Sequence, residues 1–187
     1  MLILPPIRTK ITPIGMNFLK TTILFAALFS ISVAATADNK HLPTEKNESL
    51  SATLDEIESI AEGIDIVEMA KNYIGCRYVH GAAGPSKFDC SGFTSYIYNK
   101  VSMKIGRTPG GQYQLGQAVS REDLRAGDLV FFRPRSGNRV GHVGIVTEAD
   151  GQGNFKFIHA SIKGVKITNF EGTNYYTARY IGARRLL

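Results

Sequence analysis

The spacing of hydrophobic residues changes once along this chain, at Gly127. Before that point apolar residues recur three and four apart, the spacing of one helix face. After it they form short runs with strand-like alternation, separated by turn residues. Leu54, Ile57 and Ile60 predict a helix over 52–60, interrupted by Gly63. Ile64, Val67, Met69, Ala70, Tyr73 and Ile74 predict a second helix, ended by Gly75. Residues 76–87, rich in Gly and Ala, read as a loop. Phe93, Tyr96, Ile97 and Val101 predict a third helix from about residue 88 to 100, followed by a Gly/Pro/Gln loop over 107–116. Strands are expected over 128–132, 141–147, 154–160, 165–168 and 180–184. Helices followed by a run of strands imply an α+β fold, with N-terminal helices packed on an antiparallel sheet. With 43% hydrophobic and 20% charged residues, the chain of 187 buries a core, which excludes global disorder. Two cysteines cannot build a disulfide framework.

The net charge of +6 is segregated. Residues 1–37 carry +3, residues 38–69 carry −7 and residues 70–187 carry +10. A basic block is either a solvated surface or an attraction for a polyanion. Without a basic cluster interleaved with aromatics, nucleic acid is the weakest partner for it. Lys20, an apolar stretch over 23–35 and the small residues Ala35-Thr36-Ala37 together read as a secretory signal peptide, with Met16 as a second candidate start. The apolar run is shorter than the roughly 20 residues of a membrane span. The expected product is exported, periplasmic or secreted, monomeric and without a stable membrane anchor. Its acidic stretch is either a helical cap packed on the domain or a screen over its cleft.

Cys90, in Phe88-Asp-Cys-Ser-Gly92, stands where a loop gives way to a helix. The positive end of a helix favours thiolate, the reactive form. Asp89 or Ser91 can cap that helix. Of four histidines, His142 and His159 fall in consecutive predicted strands. A two-residue turn at Asp150-Gly151 sets them directly opposite on one face. A four-residue loop over 150–153 makes them diagonal on the same face. A thiol, a base and a group holding the base's tautomer are the parts of nucleophilic acyl transfer. Cys90 is therefore expected to be the nucleophile, His142 the general base and then acid, and His159 the orienting group. A zinc site on the same three residues lacks a fourth ligand and any paired-ligand motif.

These residues resemble the NlpC-type cell-wall cysteine peptidases. The resemblance is carried by Ala70-Lys-Asn-Tyr-Ile-Gly75, Arg77-Tyr78, Phe88-Asp-Cys-Ser-Gly92, Gln112, Gly127-Asp-Leu-Val-Phe-Phe132, His142-Val-Gly-Ile-Val146 and Phe157-Ile-His-Ala160. It implies a papain-like α+β fold over 64–187, after a signal peptide at 1–37 and an acidic linker and helix at 38–63. It implies hydrolysis of peptidoglycan stem peptides, typically between γ-D-glutamate and a diamino acid, without cofactor or metal. Cys90, His142 and His159 fall on the catalytic positions, and Tyr78, Asp89 and Ser91 on substrate-binding ones. The chain departs from the family pattern at Cys76 and at Val79-His80-Gly81-Ala82-Ala83. The rival functions are a thiol-dependent amidase or acyltransferase on another substrate, and a catalytically silent wall-binding protein.

Overall fold

The structure is a computed structural model that describes residues 44–187, with side chains from residue 49 onward. The signal-peptide reading therefore lies outside the described residues. The first described element is a single long helix, α1 (Thr44–Lys71). The expected break at Gly63 is absent, and so is the polar linker from residue 44 onward.

Gly63 serves a different purpose. A Cβ there would overlap the carbonyl oxygen of Ala126, and a Cβ on Gly127 would come within 2.7 Å of the Gly63 Cα. Two backbones meet at this point, and glycine is what lets them approach. Gly127 also has a left-handed φ of 93°, and its carbonyl accepts a hydrogen bond from the buried Tyr98 hydroxyl. Only the C-terminal part of α1 enters the core, through Ile66, Val67 and Ala70. Leu54, Ile57 and Ile60, whose spacing marks one helix face, stay 40–47% exposed.

A short parallel pair follows, β1 (Arg77–Tyr78) with β2 (Lys87–Phe88), then helix α2 (Cys90–Asn99) and one turn of helix, α3 (Pro109–Gln112). The main sheet holds β3 (Gln117–Val119), β4 (Leu129–Phe132), β5 (His142–Ala149), β6 (Phe155–Ser161), β7 (Gly164–Asn169) and β8 (Tyr180–Arg185). A final helical turn, α4 (Asn174–Thr177), precedes β8. The strand order is β3-β8-β4-β5-β6-β7, antiparallel throughout. The architecture is the expected α+β fold with helices on an antiparallel sheet. Two-residue strands and β3 are too short to announce themselves by periodicity.

Each face of the sheet carries a core. On one face α1 and α2 bury Ile66, Phe93 and Ile97 against Phe131, Val143, Ile145 and Ile158. On the other, Val130, Phe132, Val146, Phe155, Phe157 and Phe170 pack together. Strands buried on both faces read as continuous apolar runs, which is why Leu129–Phe132 shows no alternation.

The β5–β6 hairpin differs from the expected two-residue turn. Ala149 pairs with Phe155, and Asp150 Oδ1 organises the loop by accepting the amide hydrogens of Gln152 (2.7 Å) and Asn154 (3.0 Å). A bulge then follows: Glu148 pairs with Lys156 but Val146 pairs with Phe157, leaving Thr147 as the extra residue. A one-residue shift exchanges the two faces of a strand. Continued without the bulge, the register near the turn would set His142 and His159 on opposite faces. With it, they share a face as diagonal neighbours, the arrangement expected of the longer loop.

Gly63→Ala tests the backbone contact. Helix propensity alone would stabilise the variant by about 0.8–1 kcal/mol. The overlap with Ala126 is expected to dominate and to destabilise it by about 1–3 kcal/mol, measured by urea denaturation.

Candidate active site

Helix α2 starts at Cys90 because Asp89 caps it. Asp89 Oδ1 accepts the Gly92 amide at 2.6 Å, and Oδ2 accepts the Gly81 amide at 2.8 Å. The Arg107 guanidinium donates to both Asp89 oxygens, at 3.2 and 3.1 Å, and to the Gly81 carbonyl at 3.1 Å. A Cβ on Gly92 would overlap the Ala82 carbonyl oxygen, so this glycine lets the loop 79–84 lie against the first helical turn. Ser91 donates from Oγ to the Arg107 carbonyl at 2.8 Å. Gln112, fully buried, donates to the carbonyls of Ser91 (3.1 Å) and Gly106 (3.0 Å) and accepts from the Thr94 hydroxyl (2.8 Å). The helix start is thus fixed from two loops and from the helical turn α3. Asp89 and Ser91 are both buried, with their oxygens engaged in this framework.

Burial would raise the Asp89 carboxyl, but Arg107 and the amides of Gly92 and Gly81 outweigh it and hold the group below its ordinary value. Cys90 behaves differently. Burial pushes its thiol up and Asp89 pushes it further, while the amides of Ser91, Val143 and Cys90 itself pull it partly back. Removal from water thus outweighs the pull of the helix-start amides on this thiol.

The structure brings the two histidines together. His142 Nε2 and His159 Nδ1 lie 2.8 Å apart, with the rings nearly perpendicular. Gly144, between them on the same face of β5, makes room: a Cβ there would lie 2.6 Å from Phe157 Cδ2 and 3.2 Å from His159 Cβ. His159 is fully buried, and its Nε2 lies 2.9 Å from the Thr168 hydroxyl. Tyr176, unremarked in the sequence, stacks on His142 at 6.1 Å between centroids and meets His159 edge-on at 5.3 Å. Phe132 and Phe157 complete the enclosure. Burial lowers His142 to about 4 and His159 well below its ordinary value, the latter with help from His142 and Lys166. Both rings rest neutral at pH 7.

Cys90 belongs to the core on the opposite face of the sheet, where α2 packs. Its thiol meets the amide of Val143, the residue after His142, and influences both Tyr78 and Tyr176. Burial, and then Cys90 and Asp89, raise the Tyr78 phenol. Burial, Tyr175 and Cys90 push Tyr176 up to about 12. A groove of about 530 Å3 opens between Tyr78, His142 and Tyr176, with Arg133, Arg135, Lys163 and Lys166 along its wall. Cys90 is buried and lies outside that lining. Among the described residues, none of α1 lines the groove, and Glu56 on that helix pairs with Arg125 at 2.6 Å. Cys76 and Cys90 are both free thiols. Among the described residues, no three His, Cys, Asp or Glu side chains group as a metal site. Nor is any described helix long and apolar enough to cross a membrane.

The sequence and the fold are similar to those of known proteins. The model of the NlpC/P60 family matches residues 75–185, more than half of the chain, and the protein belongs to that family. It is 34% identical over 169 residues to "Murein DD-endopeptidase MepS/Murein LD-carboxypeptidase" of Escherichia coli K12, covering 86% of each chain. It is 37% identical over 125 residues to "Gamma-DL-glutamyl hydrolase" of Bacillus subtilis 168, covering 65% of this chain and 29% of that one. The chain thus spans under a third of the length of that and several other curated relatives. Among solved structures, an NlpC/P60 family protein from Bacillus cereus ATCC 10987 superposes with a TM-score of 0.60 at 35% identity, over 67% of this chain and 40% of that one.

Two outcomes are expected. The unfolded chain protonates His142 near 6.5 and the folded protein only near 4, so acid favours unfolding between those values. The thermal midpoint should fall as pH drops from 6.5 to 4, and less steeply in His142→Gln. Separately, a crystal structure of Gly144→Ala should show the two imidazoles parted beyond hydrogen-bonding range.

Proposed function

We propose that this protein is an exported cysteine endopeptidase that cleaves peptidoglycan stem peptides at the γ-D-glutamyl–diamino acid bond. The observation that carries the reading is the 2.8 Å contact between His142 Nε2 and His159 Nδ1. It occupies one nitrogen of His142 and leaves Nδ1 to serve Cys90.

The reaction is acyl transfer in two steps. Cys90 attacks the amide carbonyl as His142 takes the thiol proton at Nδ1. The resting pair is neutral because both groups are removed from water. A His142 that titrates near 4 is a strong acid once protonated, and it passes the proton to the departing amine. Water, deprotonated by the same ring, then releases the acyl product. The Cys90 amide and the neutral Tyr78 phenol act as oxyanion donors, each worth about 2.7–4 kcal/mol. Asp89 and Ser91 contribute to stem-peptide binding by fixing the loop and helix start that border the substrate. The cationic wall of the groove suits the substrate's carboxylates. Neither a cofactor nor a nucleic-acid partner enters this scheme, and the enzyme works as a monomer.

The name of the Bacillus subtilis relative supports the γ-glutamyl bond. A second reading, cleavage of the D,D cross-link, is favoured by the match over 86% of the Escherichia coli relative.

Mass spectrometry of muropeptides digested by the purified protein separates the two bonds by product mass. Transfer of the acyl group to an added amine in preference to water would identify an acyltransferase instead. Cys90→Ala and His142→Ala are expected to abolish cleavage with the thermal midpoint retained. Persistent turnover in Cys90→Ala would remove the mechanism.

A further inference from the structure

We infer that Thr168 is a positioning residue that sets the tautomer of both histidines, so that His142 presents a bare Nδ1 to Cys90. The inference rests on the peptidase reading for its consequence but not for its geometry.

Thr168 lies on β7 opposite Phe157, one diagonal step from His159. Its hydroxyl oxygen is 2.9 Å from His159 Nε2, while His159 Nδ1 is 2.8 Å from His142 Nε2. His159 is fully buried, so both its nitrogens are satisfied by these two side chains. Neutral imidazole carries one N–H, which makes the chain directional. In one direction His142 Nε2–H donates to His159 Nδ1, His159 Nε2–H donates to Thr168, and His142 Nδ1 is a free base. In the other, Thr168 donates to His159 Nε2, His159 Nδ1–H donates to His142 Nε2, and His142 Nδ1 carries a proton and cannot act as a base.

The transition state selects between them. Once His142 accepts the thiol proton it carries two N–H groups, and Nε2–H must donate to His159. His159 must then donate from Nε2, for which Thr168 is the acceptor. The hydroxyl therefore completes a chain polarised by the developing imidazolium. Without an acceptor there, the His159 Nε2–H would be buried and unpaired, which costs more than a bare lone pair. The chain would reverse and the base would be lost. Lys166, directly opposite His159, reinforces the arrangement by opposing a second proton on that ring.

The test uses the full protein with Thr168→Val, which removes the hydroxyl at nearly constant shape and keeps a strand-forming residue. Thr168→Ser is its rescue. Histidine 15N NMR at pH 7 reads the tautomers, and muropeptide hydrolysis reads kcat and KM. The expected result is protonated Nε2 on both rings in the wild type and protonated Nδ1 on both in Thr168→Val. That change should accompany a fall in kcat of about tenfold or more with KM unchanged, short of the roughly 10²–10⁴-fold of a lost general base. Serine should restore both readouts. Unchanged tautomers in Thr168→Val overturn the inference whatever the turnover, and so do reversed tautomers with undiminished kcat. If the wild-type protein cleaves no muropeptide, the peptidase reading falls, and the tautomers alone decide the role of Thr168.

Discussion

The site depends on the parity of one strand pairing. Side chains alternate across a sheet, so an odd register error between β5 and β6 would separate His142 from His159 completely. The bulge at Thr147 supplies the one-residue shift that sets them on a common face. It carries a cost: the Thr147 hydroxyl is buried without a hydrogen-bond partner, worth about 1–3 kcal/mol. Gly144 then holds the space through which the diagonal rings meet. His142, Gly144 and the bulge at Thr147 lie within six residues of β5, and His159 on β6 completes the pair.

The second constraint is removal from water. The cap Asp89, the loop residue Arg107 and Gln112 of α3 clamp the start of α2, so Cys90 is held in place without being exposed. The aromatic rings of Phe132, Phe157 and Tyr176 do the same for the histidines. In such surroundings charge separation is costly, which favours the neutral thiol and imidazoles. The Asp89–Arg107 pair is the nearby charged exception, and it is compensated within its own network. The resting chemistry of the site therefore comes more from dehydration than from the helix end that the sequence emphasised.

Much of the architecture was legible in order. The five main strands fall where the short apolar runs and the turn residues between them put them, and α2 begins at the residue after its aspartate cap. Gly63 misled because a glycine inside a helical pattern signals both a break and a close approach. Its partner, the Ala126–Gly127 backbone, is distant in sequence. The apolar residues of the first half of α1 misled for a related reason: periodicity reports a face and not whether anything covers it. Tyr176 gave no signal, since an aromatic in a one-turn helix is common. Thr168 gave only its strand and face.

The sequence by itself determined the class of fold, the cap that starts α2, and the short set of side chains proposed for acyl transfer. Those follow from local chemistry and periodicity, which a linear string retains. Only the tertiary structure decided the bulge that set the histidines on one face, the burial that raises the Cys90 thiol, and the contacts that Tyr176 and Thr168 make with the pair. Each is a relation between segments far apart in the chain. A register depends on how the whole hairpin closes, and a proton affinity on how much water the surrounding elements exclude.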